Sequence, residues 1–267
     1  MKWKPVAGIV LRQIYLLRGS PVRVFPMITW VAIDMVLWGF LTRYLNSVSA
    51  RGVDFVPALL GGVLLWDFCT RIMQGVSTAF LEDVWSRNFL NLFSSPLSIS
   101  EYITGLVITS IMTSALGLIT MLLIANGVFH LEFFSLGLAL GAFLMILFIF
   151  GITLGICGAA IVLRFGPASE WLLWPLPALL SPFAAVFYPL KVLPSWMQGV
   201  ALALPPSYVF EGMRALLASQ PFPGGLLLEG SLISIVELIL AGVLYGRIYR
   251  HAVRTGLLAR YSAEGAA

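Results

Sequence analysis

Two consecutive stretches, residues 102–131 and 133–163, contain no Asp, Glu, Lys or Arg, and Glu132 alone divides them. About 20 apolar helical residues are enough to cross the hydrocarbon core of a bilayer. Each stretch exceeds that length, so the chain is an integral membrane protein. The same pattern of long apolar runs predicts six spans, near 22–42, 56–80, 103–126, 136–163, 171–189 and 231–249. Uninterrupted apolarity favours helices, because membrane β-strands alternate between apolar and polar positions. Helices also satisfy every backbone polar group within the segment, as lipid requires.

Between the spans the pattern changes. Segment 190–230 holds only short apolar runs, cut by Pro194, Pro205, Pro206, Pro221 and Pro223. Proline removes a backbone donor and breaks helices, so this segment predicts short re-entrant helices dipping into the outer leaflet before the last span. At the other end, residues 1–20 mix Trp3 and Tyr15 with Val6, Ile9, Val10, Ile14, Leu17 and basic side chains. That mix suits an interfacial helix. The expected fold is an all-α membrane protein built as one transmembrane domain over 1–267.

Charge placement orients the spans. Lys2, Lys4, Arg12, Arg18 and Arg23 lie before or at the very start of the first span, and Arg247, Arg250, Arg254 and Arg260 at or beyond the end of the last. The positive-inside rule puts both ends in the cytoplasm, as an even span count demands. Loops 81–102 and 164–170 then face the cytoplasm, and 43–55, 127–135 and 190–230 face outward. The basic residues flank apolar runs, so no nucleic-acid surface is expected. Charged residues make up 10% of the chain, against about 25% in soluble domains. No compact apolar run with a cleavage site precedes Ser20, and no cleaved signal peptide is read there.

Several chemistries lack their residues. The three lysines, Lys2, Lys4 and Lys191, do not follow glycine, so there is no Gly-Lys phosphate-binding loop. His130 and His251 have no metal-ligand spacing, and no metal site is expected. Cys69 and Cys157 lie inside predicted spans and read as small apolar residues. No nucleophile and base can be assembled for an intramembrane hydrolase.

Four ionisable residues fall within spans: Asp34, Asp67, Arg71 and Glu237. Such groups are costly in lipid and face protein or a water-filled cavity. Asp67 and Arg71 are four residues apart, on one helix face, and can pair; Glu237 is an alternative partner for Arg71. The pair fits either a structural brace or part of a translocation path. In the loop after the second span, Leu81, Val84, Trp85 and Phe89 recur at helical spacing, with Glu82, Asp83 and Arg87 on other faces. This predicts a cytoplasmic amphipathic helix over 81–93, which either docks a partner or packs against the ends of the spans.

Three segments resemble the permease subunit of ABC-2-type exporters. The first is this acidic-aromatic stretch leading into Ser95-Pro96-Leu97-Ser98, Glu101 and Gly105. The second runs from Phe187 through Pro194 to Gln198. The third is Leu204-Pro205-Pro206-Ser207-Tyr208 with Glu211 and Arg214. Where many relatives carry a Gly-Thr-Leu-Glu-like run, this chain has Asn88-Phe89-Leu90-Asn91. The resemblance implies a permease homodimer or heterodimer in the bacterial cytoplasmic (inner) membrane, in contact with its lipids. It implies separate ABC ATPase subunits that bind ATP and Mg, while this chain binds no cofactor. It assigns coupling to Glu82, Asp83, Trp85, Arg87 and Phe89, and an outer re-entrant motif to Pro194, Pro205, Tyr208, Glu211 and Arg214. The function it implies is export of an amphipathic, drug-like, lipid or lipid-linked substrate. The alternative is a proton-coupled secondary transporter using the intramembrane acids.

Overall fold

The structure, a computed structural model, describes residues 2–48, 56–86, 88–130 and 137–257, apart from the side chains of Val56, Phe89, Leu90, Phe93 and Pro167. Among them every regular element is helical. The order is α1 (Trp3–Arg18), α2 (Pro21–Val48), α3 (Val56–Trp85), α4 (Asn88–Phe93), α5 (Ile99–Phe129) and α6 (Leu138–Phe165). There follow α7 (Glu170–Leu173), α8 (Leu176–Leu180), α9 (Ser195–Ala201), α10 (Pro205–Leu217) and α11 (Gly224–Thr255).

Four helices are long and apolar enough to cross a membrane: α2, α5, α6 and α11. Helix α6 is apolar all round and largely buried, as a central helix must be. It packs between α3 and α11. Its close approach to α3 runs along Gly151, Gly155 and Gly158. A Cβ at Gly155 would lie 2.8 Å from Val76 Cβ, and one at Gly151 would lie 2.8 Å from the Cys69 carbonyl oxygen. Lipid supplies no hydrophobic force between helices, so small residues that admit close backbone contact drive the packing. Gly155→Leu should therefore overpack this seam and cost about 1–3 kcal/mol, read as a lower melting temperature in detergent. Unchanged melting would mean that the seam can open without cost.

Helix α2 has the opposite character. Phe25, Trp30, Ile33, Leu37 and Phe40 are all exposed, a continuous apolar surface of the kind that marks membrane or partner contact. Helix α1 lies against α5 and, more lightly, α2. It buries Val6, Ile9 and Gln13 and leaves Trp3 and Tyr15 exposed.

The structure corrects two expectations about elements. Segment 171–189 is not one continuous helix. It breaks into α7, α8 and a series of turns, because Pro175, Pro177 and Pro182 remove backbone donors. One of the carbonyls in this region is recovered by a side chain: Tyr188 OH donates to the Pro182 carbonyl at 2.6 Å. Nor is 81–93 a separate amphipathic helix. Leu81–Trp85 is the last turn of α3, and α4 begins only at Asn88. The apolar stripe Leu81–Val84 is core, not docking surface: Leu81 is buried and Val84 packs against the core. Segment 190–230 does divide into short helices, α9 and α10, but its last residues, from Gly224, already belong to α11.

Candidate functional site

Helix α3 carries the polar residues that organise the interior. Asp67, Arg71, Gln74, Thr78 and Glu82 fall at i, i+4, i+7, i+11 and i+15, so they lie along one helix face. Arg71 Nε donates to Asp67 Oδ2 at 2.6 Å, and both side chains are mostly buried. The Arg71 side chain also passes over Gly117 of α5, where a Cβ would come within 3.0 Å of its Cδ. Its Nη1 reaches the Met27 carbonyl of α2 at 3.3 Å. One guanidinium thus touches three helices.

Two cavities border this stripe. The inner one, about 370 Å³, lies among α1, α2, α3 and α5 and includes Arg71, Gln74, Thr78 and Ser114 in its wall. The other, about 330 Å³, lies between α2, α3 and the broken segment, and is walled by Asp34, Trp38, Trp66, Asp67 and Phe187. Trp174 borders both. The Asp67–Arg71 pair and the Trp174 ring therefore stand at the partition between two cavities on the same helix face. Asp34, half-buried on α2, joins this group within the field of Arg71. Glu237 does not. It sits on α11 close to Cys157 of α6, and its buried Oε2 has no hydrogen-bond partner among the described residues.

The predicted coupling residues separate. Asp83 is 1% exposed, so its carboxylate is not on the surface. Arg12 of α1 grips it with both terminal nitrogens, one of them at 2.9 Å, and Tyr102 OH of α5 donates to it at 2.7 Å. It pins three helices. Glu82 is half-exposed and pairs with Arg23 at 2.7 Å. Trp85 is 52% exposed at the end of α3. Arg87 lies outside the described residues, and of Phe89 only the backbone, in α4, is described. Close by, Ser98 and Glu101 form a capping box on α5. Glu101 N donates to Ser98 Oγ at 3.3 Å and Ser98 N to Glu101 Oε2 at 3.1 Å. The Lys2 backbone N–H donates to the same carboxylate at 2.6 Å.

The predicted re-entrant motif is a backbone clamp. Pro194 and Pro205 open α9 and α10, positions where a missing donor costs nothing. Glu211 Oε1 accepts from the Leu190 N–H at 2.6 Å and from Arg214 Nη2 at 2.9 Å. Arg214 Nη2 also donates to the Ala185 carbonyl at 2.9 Å. Ala185 has a φ of +53°, a left-handed backbone that an alanine holds only under outside constraint. Tyr208 OH donates to the Leu202 carbonyl at 2.8 Å. Irregular backbone between apolar helices is tolerated when protein groups satisfy it, and these three side chains do so.

Gln74 and Thr78 of the polar stripe on α3, and Thr109, Thr113 and Ser114 facing it from α5, line the first cavity without belonging to any motif in the sequence. The helical spacing of Gln74 and Thr78 after Arg71 was the signal available, as was Ser98-x-x-Glu101 for the capping box.

Helices of this length and apolarity, wrapped round a buried polar seam and two cavities, define an integral membrane protein. The sequence profile of the ABC-2 type transporter family matches residues 17–218. The chain belongs to that family: it is the membrane permease subunit of an ABC transporter, and the family works with an ABC ATPase. No curated protein matches the sequence.

Proposed function

We propose that this permease exports an amphipathic substrate along the polar face of α3, from the inner cavity past Asp67–Arg71 to the second cavity. The observation that carries this reading is the partition itself: one ion pair and one indole separate two cavities on a single face. The Asp67–Arg71 pair lies within α3 and travels with it. The Arg71–Met27 contact bridges α3 and α2 and changes whenever those helices slide. ATP-driven motion that shifts α2 against α3 would thus move the guanidinium relative to the path. A ligand biases such an equilibrium only through contacts that differ between the two states.

In this reading α3 and the 170–189 segment complete six spans with α2, α5, α6 and α11. Both termini are cytoplasmic, the membrane is the bacterial inner membrane, and α9 and α10 dip into the outer leaflet. Two permeases, identical or related, pair within the lipid and share two ATPase subunits that hold ATP and Mg. Coupling falls on the surface around Trp85 and α4, with Glu82 beside it and Asp83 beneath it. Buried aromatic anchors dominate interfaces while rim charges contribute little. Trp85→Ala should therefore release the ATPase subunit or uncouple hydrolysis from transport in protein that still reaches the membrane, and Glu82→Gln should do much less. Intact assembly and transport in Trp85→Ala would move the docking surface elsewhere.

The deciding experiment places the permease and its ATPase subunit in vesicles supplied with ATP and no proton gradient. Uptake under those conditions supports the reading. Uptake that requires a proton gradient and ignores ATP would make the chain a secondary transporter working through its intramembrane acids.

A further inference from the structure

We propose that Arg247, Arg250 and Arg254, in the last turns of α11, form a binding surface for the head groups of anionic phospholipids. The site depends on α11 crossing the membrane and not on the route of export. The first observation is a continuous face. Leu232, Val236, Ile239 and Val243 are exposed at steps of three and four residues along α11, so they share one side of the helix. The same steps lead on to Arg247, Arg250 and Arg254, all exposed. A face that is apolar over a span and then turns basic suits a helix leaving the hydrocarbon core for the head-group layer. The 32 residues of α11 make about 48 Å of helix against a core of roughly 30 Å, so its last turns lie beyond the core.

The second observation is depth. Tyr245 of α11 is buried against Phe80 of α3, with ring centroids 6.2 Å apart, and Phe80 meets Tyr102 of α5 at 6.1 Å. Tyr102 donates to Asp83, which Arg12 of α1 holds. These contacts set the turns that follow Tyr245 at the level of α1. There Trp3 and Tyr15 are exposed, as aromatic residues are at a membrane interface. The third is unspent charge. Arg12, Arg23, Arg71 and Arg214 each have a carboxylate partner, whereas Arg247, Arg250 and Arg254 form no salt bridge among the described residues. Guanidinium groups match phosphate with paired N–H donors. A phospholipid supplies both that phosphate and the acyl chains that cover the apolar part of the same face. An acidic protein surface would meet the charge and leave the apolar part uncovered.

The test titrates the full chain in mild detergent with dioleoyl phosphatidylglycerol or dioleoyl phosphatidylcholine and follows bound lipid by native mass spectrometry. One arginine near an anionic surface is worth about fivefold in affinity. Phosphatidylglycerol should therefore bind at least about tenfold more tightly than phosphatidylcholine. Arg247→Gln, Arg250→Gln and Arg254→Gln together should cut that preference at least about tenfold, and Arg250→Gln alone by about fivefold. Replacing all three with Lys keeps the charge and should retain most of it. The three side chains are exposed, so these variants should melt as the parent chain does. Equal affinity for the two lipids in the parent chain overturns the proposal, as does an unchanged preference in the Gln variants. If the triple Gln variant keeps the preference but no longer copurifies with its ATPase subunit, the arginines dock the ATPase instead and the proposal falls.

Discussion

Asp83→Asn should detach the N-terminal helix from the bundle. The carboxylate is almost fully buried and holds Arg12 of α1 and Tyr102 of α5 together. Removing one partner of a buried pair strands the other and typically costs about 3–5 kcal/mol. Arg12 keeps some contact with solvent, so the lower end, about 3 kcal/mol, is expected. The readouts are early proteolysis within 3–18 and a lower melting temperature. Arg12→Gln should do nearly the same, and the double change should cost less than the sum of the singles. Glu82→Gln, one residue away in a half-exposed pair with Arg23, should cost no more than about 1 kcal/mol. Equal effects at positions 82 and 83 would show that burial does not distinguish them. A second tether of α1 responds to acid. The N–H groups of Lys2 and then Ser98 hold the Glu101 carboxyl below its ordinary range. A lowered folded pKa gives stability that is full above the unfolded value and lost as pH falls through the folded one. The N-terminal backbone should thus come away from α5 only below the ordinary carboxylate range, and Glu101→Gln should remove that acid step.

These tethers show where sequence reading stops. The spans α2, α5, α6 and α11 were legible because each is a single apolar run, and apolar length is a local property. Segment 171–189 is apolar enough to read as a span, yet Pro175, Pro177 and Pro182 break it, and composition alone hides that. The burial of Asp83 is hidden from the sequence for a different reason. Helical spacing puts it off the Leu81–Val84–Trp85 stripe and so toward water. The partner that buries it is Arg12, 71 residues earlier in the chain, and no local pattern records such a contact. Asp67–Arg71, four residues apart on one helix, is the opposite case: spacing alone permits it, and the structure forms it. Which cavities flank that pair depends on how α2, α5 and the broken segment settle round α3, and so appears only in three dimensions.

Asp67→Asn or Arg71→Gln alone should each destabilise the permease by about 3–5 kcal/mol, since each leaves a mostly buried charge without its partner. The double variant removes both charges and should recover much of that loss. A double-mutant cycle on thermal stability measures the difference, and simple additivity would mean that the pair does not interact. Transport by the double variant then separates the two roles that remain. If Asp67 and Arg71 only brace α3, restoring stability restores ATP-driven uptake as well. If the guanidinium at the partition acts in the path, the double variant folds, assembles with its ATPase and stays inactive. The second outcome is expected. Arg71 spans α2, α3 and α5 and borders the inner cavity, while Asp67 borders the second, and a brace within one helix requires none of those contacts.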